Sequence, residues 1–289
     1  MAVGKEILTK IRSVQSTQKI TRAMEMVSTS KMRRTQDQMR QARPYAEYVR
    51  VVMGHLASTQ EKNLAILSKH ERVRRAAIVL ITPDKGLCGG MNANVLKRFY
   101  HLVRDYQDQG VDVEVVCLGS KGLAACRRIG VNVVASAVNL GDKPKLEALL
   151  GGATLAVNAY VEGRIDAVHL VYTRFVNTMK QEPVAEILLP IGEDVLQPSS
   201  EISHGWDYLY EPDPLTVLEY LVRRYLESVV YQAVCESMAS EQAARMVAMK
   251  AATDNASGLI RNLRLVYNKS RQAAITTELT EIVAGAAAV

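Results

Sequence analysis

The sequence predicts an α/β fold with long helices: an antiparallel coiled coil of N- and C-terminal helices flanking a Rossmann-like, mainly parallel sheet domain. Three observations carry this. Residues 1–57 hold an apolar 4-3 repeat. Residues 75–195 alternate continuous apolar runs with helical segments, as strands buried on both faces would. After Pro214 no proline occurs, and Gly258 is the only glycine before Gly285; a long helix tolerates that composition and a set of turns does not.

In the first segment, Ile7, Ile11, Val14, Met32, Met39, Ala42, Ala46, Val49, Met53 and Leu56 share one register. The same register puts Gln18, Thr21, Glu25 and Ser28 on the seam, while the apolar stripe there shifts to Ile20, Met24 and Val27. Pro44 removes one ladder bond, which predicts one bent helix. Over residues 1–53, eleven Lys and Arg stand against four Asp and Glu, so this segment alone accounts for the chain's net charge of +6. Two readings fit a positive rod: an acidic partner, or a solvated face.

The second segment begins with a strand, "AAIVLIT", then a helix from a candidate cap at Asn94 to Gly110. "VDVEVVCLGS", "KGLAACRRIG" and "VNVVASAV" read as strand, helix and strand. Pro144 and Gly163 punctuate the next helix. "IDAVHLVYTRF" and "PVAEILLP" close the segment as strands. The link "VNTMKQE" is too short for a crossover, so the last strand should run antiparallel at an edge. In the third segment, Asp213 before Pro214 is a helix cap followed by a first-turn proline. Roughly 70 helical residues make a rod of about 105 Å, against about 80 Å for the N-terminal one. Paired from a common base, the last twenty-odd residues of the longer helix should protrude. The division expected is 1–57 (coiled-coil helix), 75–195 (sheet domain) and 208–289 (coiled-coil helix and apolar tip).

Candidate chemistry is sparse. "DKGLCGGMNAN" is Gly-rich between strand and helix, but its spacing fits neither dinucleotide nor P-loop patterns. A close helix–sheet turn competes with a phosphate cradle there. His55, His70, His101, His169 and His204 are scattered and fit no metalloprotease or hydrolase motif. Cys88, Cys117, Cys126 and Cys235 lack C-x-x-C spacing and read as buried free thiols. No catalytic, cofactor-binding or metal residues are assigned. A nucleotide-binding α/β enzyme and a nucleic-acid-binding coiled coil are the alternatives. The second lacks aromatics between Met1 and Pro44 on which bases would stack. No 18-residue apolar run is present, so no membrane span is expected.

Three stretches together resemble one family over nearly the whole chain: "IRSVQSTQKITRAMEMVSTSKMRR", "DKGLCGGMN", and "SEQAARMVAMKAATDNA" running on through "LVYNKSRQAAITTELTEIV". The family is the gamma subunit of the F-type, proton-translocating ATP synthase, in its bacterial form. Pro83 departs from the Ser expected before Asp84 in most relatives. The resemblance implies a rotor shaft inside a hexamer of alpha and beta subunits, with no cofactor and no catalytic site of its own. It would couple rotation of the membrane c-ring to ATP synthesis on the beta subunits, and dock on the epsilon subunit and the c-ring, with no nucleic acid bound. It implies a peripheral place on the cytoplasmic face of the bacterial inner membrane. It also implies rotor–stator contacts at Met24, Lys31, Arg34, Arg245, Gln272, Thr276 and Glu278. Contacts with the membrane ring or epsilon are implied at Met39, Tyr45, Tyr208, Tyr210 and Glu211.

Overall fold

A computed structural model describes residues 2–59, 72–141, 146–192, 211 and 213–287. The elements, in order, are α1 (Ala2–Thr59), β1 (Arg75–Ile81), α2 (Met91–Asp108), β2 (Asp112–Leu118), α3 (Ser120–Ile129), β3 (Asn132–Ala137), α4 (Leu146–Val161), β4 (Ala167–Phe175), β5 (Gln181–Leu189) and α5 (Pro214–Ala287). They form two compact units, Ser30–Ala244 and Met1–Thr29 with Arg245–Val289. The helix α1 runs through Pro44 as one element.

In the larger unit the sheet order is β3-β2-β1-β4-β5. β1 pairs in parallel with β2 and β4, and β2 with β3, whereas β5 runs antiparallel to β4 at the edge. This is the topology expected from strands alternating with helices, with a last connection too short to cross over. The central strands have no solvent face: β1 is buried from Ala76 to Ile81, and β4 from Ala167 to Thr173. Two helical layers supply the cover. On one face Val79, Val116, Leu170 and Tyr172 cluster with Ala153, Ala156 and Tyr160 of α4 and with Val222, Leu226, Val230 and Val234 of α5. On the other, Ile78, Leu80, Val115 and Val171 cluster with Val95, Phe99 and Val103 of α2 and Cys126 of α3. Each such fully buried side chain contributes about 1.5–3 kcal/mol.

Helix ends test the capping expectations. Asp213 does cap α5: its carboxylate accepts from the Thr216 amide at 2.9 Å and the Thr216 hydroxyl at 2.7 Å. Asn94 does not cap α2. That helix starts at Met91 behind Gly90, and the Asn94 amide donates to the Gly90 carbonyl within it. The turn before α2 is tight enough for the helix to begin earlier than a polar side chain signals.

The smaller unit is built on a seam. Ile11, Thr21 and Ser28 of α1 are buried, as are Met249, Ala256 and Ile260 of α5. Both sets step in fours and threes, the spacing of knobs entering holes. The middle is polar: Gln18 Nε2 donates to Ser257 Oγ at 2.6 Å, and the Thr21 and Thr253 hydroxyls lie 2.8 Å apart. These bonds fix an antiparallel register. Continued, that register brings the start of α1 opposite about Ala273, and the helix beyond it is exposed through Ala286.

Candidate functional site

The polar seam decides which way the remaining side chains point. Because Gln18, Thr21 and Ser28 face inward, Ile20 (58% exposed), Met26 (65%) and Val27 (53%) face out. Lys19 and Arg22 are exposed with them, and Met24 is half-buried. The sequence signals two tracks in this region, one polar and one apolar; the structure pairs through the polar one and displays Ile20 and Val27 of the apolar one. The partners Thr253 and Ser257 were not legible beforehand. Their signal was small polar residues on a 4-3 spacing in "KAATDNASG".

On α5 the exposed apolar residues continue as Leu265, Val266, Ile275, Leu279, Ile282 and Val283. Ile275, Leu279, Ile282 and Val283 share one helical stripe. Gln272, Thr276 and Glu278 lie exposed on this segment. Thr276 and Gln272 stack one turn apart, the Thr276 hydroxyl donating to the Gln272 carbonyl at 3.0 Å. Thr277 and Thr280 return their protons to Ala273 and Thr276 in the same way. Arg245 is only 9% exposed and is engaged within the chain. An uncovered apolar surface of this extent marks an interaction site rather than a free surface.

In the larger unit, Arg34 is exposed and Lys31 half-buried and engaged. Met39 is 8% exposed, at a position of the 4-3 repeat. Glu211 is exposed. Tyr208 and Tyr210 lie outside the described residues, as does the side chain of Tyr45 and those of the seam positions from Ala42 to Leu56.

The Gly-rich turn resolves as a structural joint. The Asp84 carboxylate accepts from the Ser120 hydroxyl (2.7 Å) and from the amides of Ser120 (2.9 Å), Asn139 (3.1 Å) and Leu140 (2.9 Å). Burial pushes its pKa up, but the Ser120, Asn139 and Leu140 donors outweigh that and leave it below the ordinary carboxylate value. The amides of Ser120, Asn139 and Leu140 at the neighbouring strand ends are thus held by the protein's own anion. Beside it, Gly119 (φ +105°) and Gly122 crowd Thr82; a Cβ on Gly119 would sit 1.8 Å from the Thr82 carbonyl oxygen. His169 of β4 is bonded to the Tyr106 hydroxyl, and burial brings its pKa down to about 4. Among the described residues no three His, Cys, Asp or Glu side chains group as metal ligands, and no helix is long and apolar enough to cross a membrane.

A two-helix arm with an apolar row on each helix, carried by a chain whose other unit is a covered sheet, defines a class: a subunit built to be enclosed by other chains. A family model described as ATP synthase matches residues 4–289. The ATP synthase gamma chain of Neisseria meningitidis serogroup A is 68% identical over 291 residues, covering 100% of both chains. That of Chromobacterium violaceum is 66% identical over 290 residues, again covering 100% of both. The chain belongs to the ATP synthase gamma chain family. Among solved structures, a rotor chain of Euglena gracilis mitochondrial ATP synthase has a TM-score of 0.65 at 22% identity, covering 95% of this chain and 99% of that one. A chain from the Tetrahymena thermophila mitochondrial central stalk and c-ring has a TM-score of 0.60 at 24% identity, covering 81% and 99%. These two likenesses establish a shared fold.

Proposed function

We propose that this subunit is the central rotor shaft of a bacterial proton-translocating ATP synthase. It couples rotation of the c-ring to conformational change at catalytic sites on the beta subunits, and so governs ATPase activity and proton flow. It is itself non-catalytic and sits peripherally at the cytoplasmic face of the inner membrane. The observation that carries this reading is the displayed apolar row on an asymmetric two-helix arm, whose longer helix runs on past its partner.

Asymmetry supplies the mechanism. Three identical surrounding sites cannot each contact a lopsided arm in the same way. Each orientation therefore stabilises one site's open form and another's closed form, the differential interaction that any allosteric coupling requires. Ile20, Met24 and Val27 offer contacts with little directionality, which exchange at small cost as the arm turns. Lys31 and Arg34 would meet acidic surface on the beta subunits. Exposed ion pairs are worth about 0–1 kcal/mol each, weak enough to break at every step. Arg245, Gln272, Thr276 and Glu278 complete the contacts with alpha and beta. Tyr45, Tyr208, Tyr210 and Glu211 would serve the epsilon subunit and c-ring. In this reading residues 1–57 and 208–289 form the shaft and 75–195 the sheet domain.

Co-expression with the alpha, beta and epsilon subunits tests the proposal. Recovery of one copy per alpha–beta hexamer, with seating weakened by deletion of residues 266–289, is the expected result. Equal incorporation of the deleted chain, or its complete absence from the hexamer at native length, would overturn it.

A further inference from the structure

We propose that Cys117 and Cys126 are a latent disulfide, a modification site at which oxidation by a peroxide joins β2 to α3. The two sulfurs lie 3.5 Å apart, with the Cys117 thiol donating to Cys126 Sγ. A disulfide requires about 2.05 Å, so the closure asks for a shift of roughly 1.5 Å between a strand and a ten-residue helix. The spacing of nine residues hides the pair from any C-x-x-C pattern; the reversal of the chain at Gly119 brings the two together.

The chemistry is set by an unequal pair. The hydrogen bond from Cys117 lowers the pKa of Cys126 against the effect of burial, while the same contact, together with burial, raises that of Cys117. Cys126, which accepts that hydrogen bond and lies on the short helix α3, is the thiol that meets peroxide first and the nucleophile. Its thiolate attacks one peroxide oxygen and the O–O bond breaks, giving a sulfenic acid and hydroxide. The Cys117 sulfur then attacks the sulfenic sulfur. The S–S bond forms, the S–O bond breaks, and the departing hydroxide takes up the Cys117 proton as water. Overall two thiols and one peroxide become one disulfide and two waters.

Both sulfurs are fully buried, so access depends on local opening. α3 is the element suited to open. It is short, buries only Gly122, Ala125 and Cys126, and ends at Gly130 in the left-handed conformation. Such an element opens at a cost well below global unfolding.

The full-length chain, purified reduced, is exposed to hydrogen peroxide, quenched, denatured, alkylated and mapped by mass spectrometry. The expected result is loss of two hydrogens per chain, a peptide linking Cys117 to Cys126, and reversal by dithiothreitol. Cys117→Ser should abolish that loss and leave Cys126 trapped by a sulfenic-acid probe. Cys88 and Cys235 are also buried and in no disulfide and serve as internal controls. Full alkylation of both thiols after peroxide, a bridge made instead to Cys88 or Cys235, or an unchanged loss in the Cys117→Ser chain would overturn the proposal.

Discussion

The His169→Phe variant isolates one ionisation. His169 is buried against Tyr106, and its pKa falls from 6.5 to about 4 on folding. A depressed value means that the unfolded chain binds more protons between those limits. Stability is therefore complete above about pH 6.5 and falls as the pH drops towards 4. The difference of about 2.5 units corresponds to about 3 kcal/mol below pH 4, of which about 2 kcal/mol is already lost at pH 5. Other groups titrate in the same range, so the measurement is a comparison. Urea unfolding of native chain and variant at pH 7.5, 6, 5 and 4.5 should give two curves that diverge on acidification, the native chain losing about 2 kcal/mol more between pH 7.5 and 5. The phenylalanine keeps a flat ring, somewhat larger than the imidazole, but leaves the Tyr106 hydroxyl without its partner, so the variant starts lower by about 1 kcal/mol or more. Parallel curves would refute the reasoning, since they would mean that His169 accepts its proton in the folded state as readily as in the unfolded one.

Met24→Lys adds a cation beside Ile20 and Val27 and should impair coupling by holding onto acidic partner surface; ATP-driven proton pumping in membrane vesicles should fall more than ATP hydrolysis. Gly119→Ala forces a carbon to within 1.8 Å of the Thr82 carbonyl at a φ that disfavours side chains, so it should cost more than about 3 kcal/mol and give a chain that thermal unfolding finds far less stable. Replacing Ile275, Leu279, Ile282 and Val283 together by Ser should leave the fold intact, because all four are exposed, yet remove about 4 kcal/mol of seating, read as faster dissociation from the alpha–beta hexamer.

Much of the architecture was legible because its signals are periodic. The continuous run from Ala76 to Ile81 could only be a strand covered on both sides, and the short link at 176–180 forced β5 into the antiparallel edge position. Asp213 announced α5 by ordinary capping chemistry. The paired arm was harder to read. The 4-3 register of the flanking residues carried Gln18, Thr21 and Ser28 onto the seam, where the structure has them, but the local apolar stripe at Ile20, Met24 and Val27 competed with that reading. What a repeat cannot give is the partner: that Gln18 meets Ser257 and Thr21 meets Thr253 depends on two helices having matched their polar groups. Asp84 was hidden for a related reason: its four donors come from segments 36 to 56 residues away. Cys117 and Cys126 were invisible as a pair because their contact belongs to the packing of α3 on β2, not to sequence spacing.

The threonines near the end of α5 bear on friction. Thr276, Thr277 and Thr280 each commit their one hydroxyl proton to a carbonyl in the preceding turn. To an enclosing wall they offer methyl groups and lone pairs, with no hydrogen seeking a new acceptor. In the proposed shaft, a threonine-rich stretch that would otherwise snag at every angle becomes a smooth bearing, with Arg271, Gln272, Glu278 and Glu281 as the charged and amide side chains exposed around it.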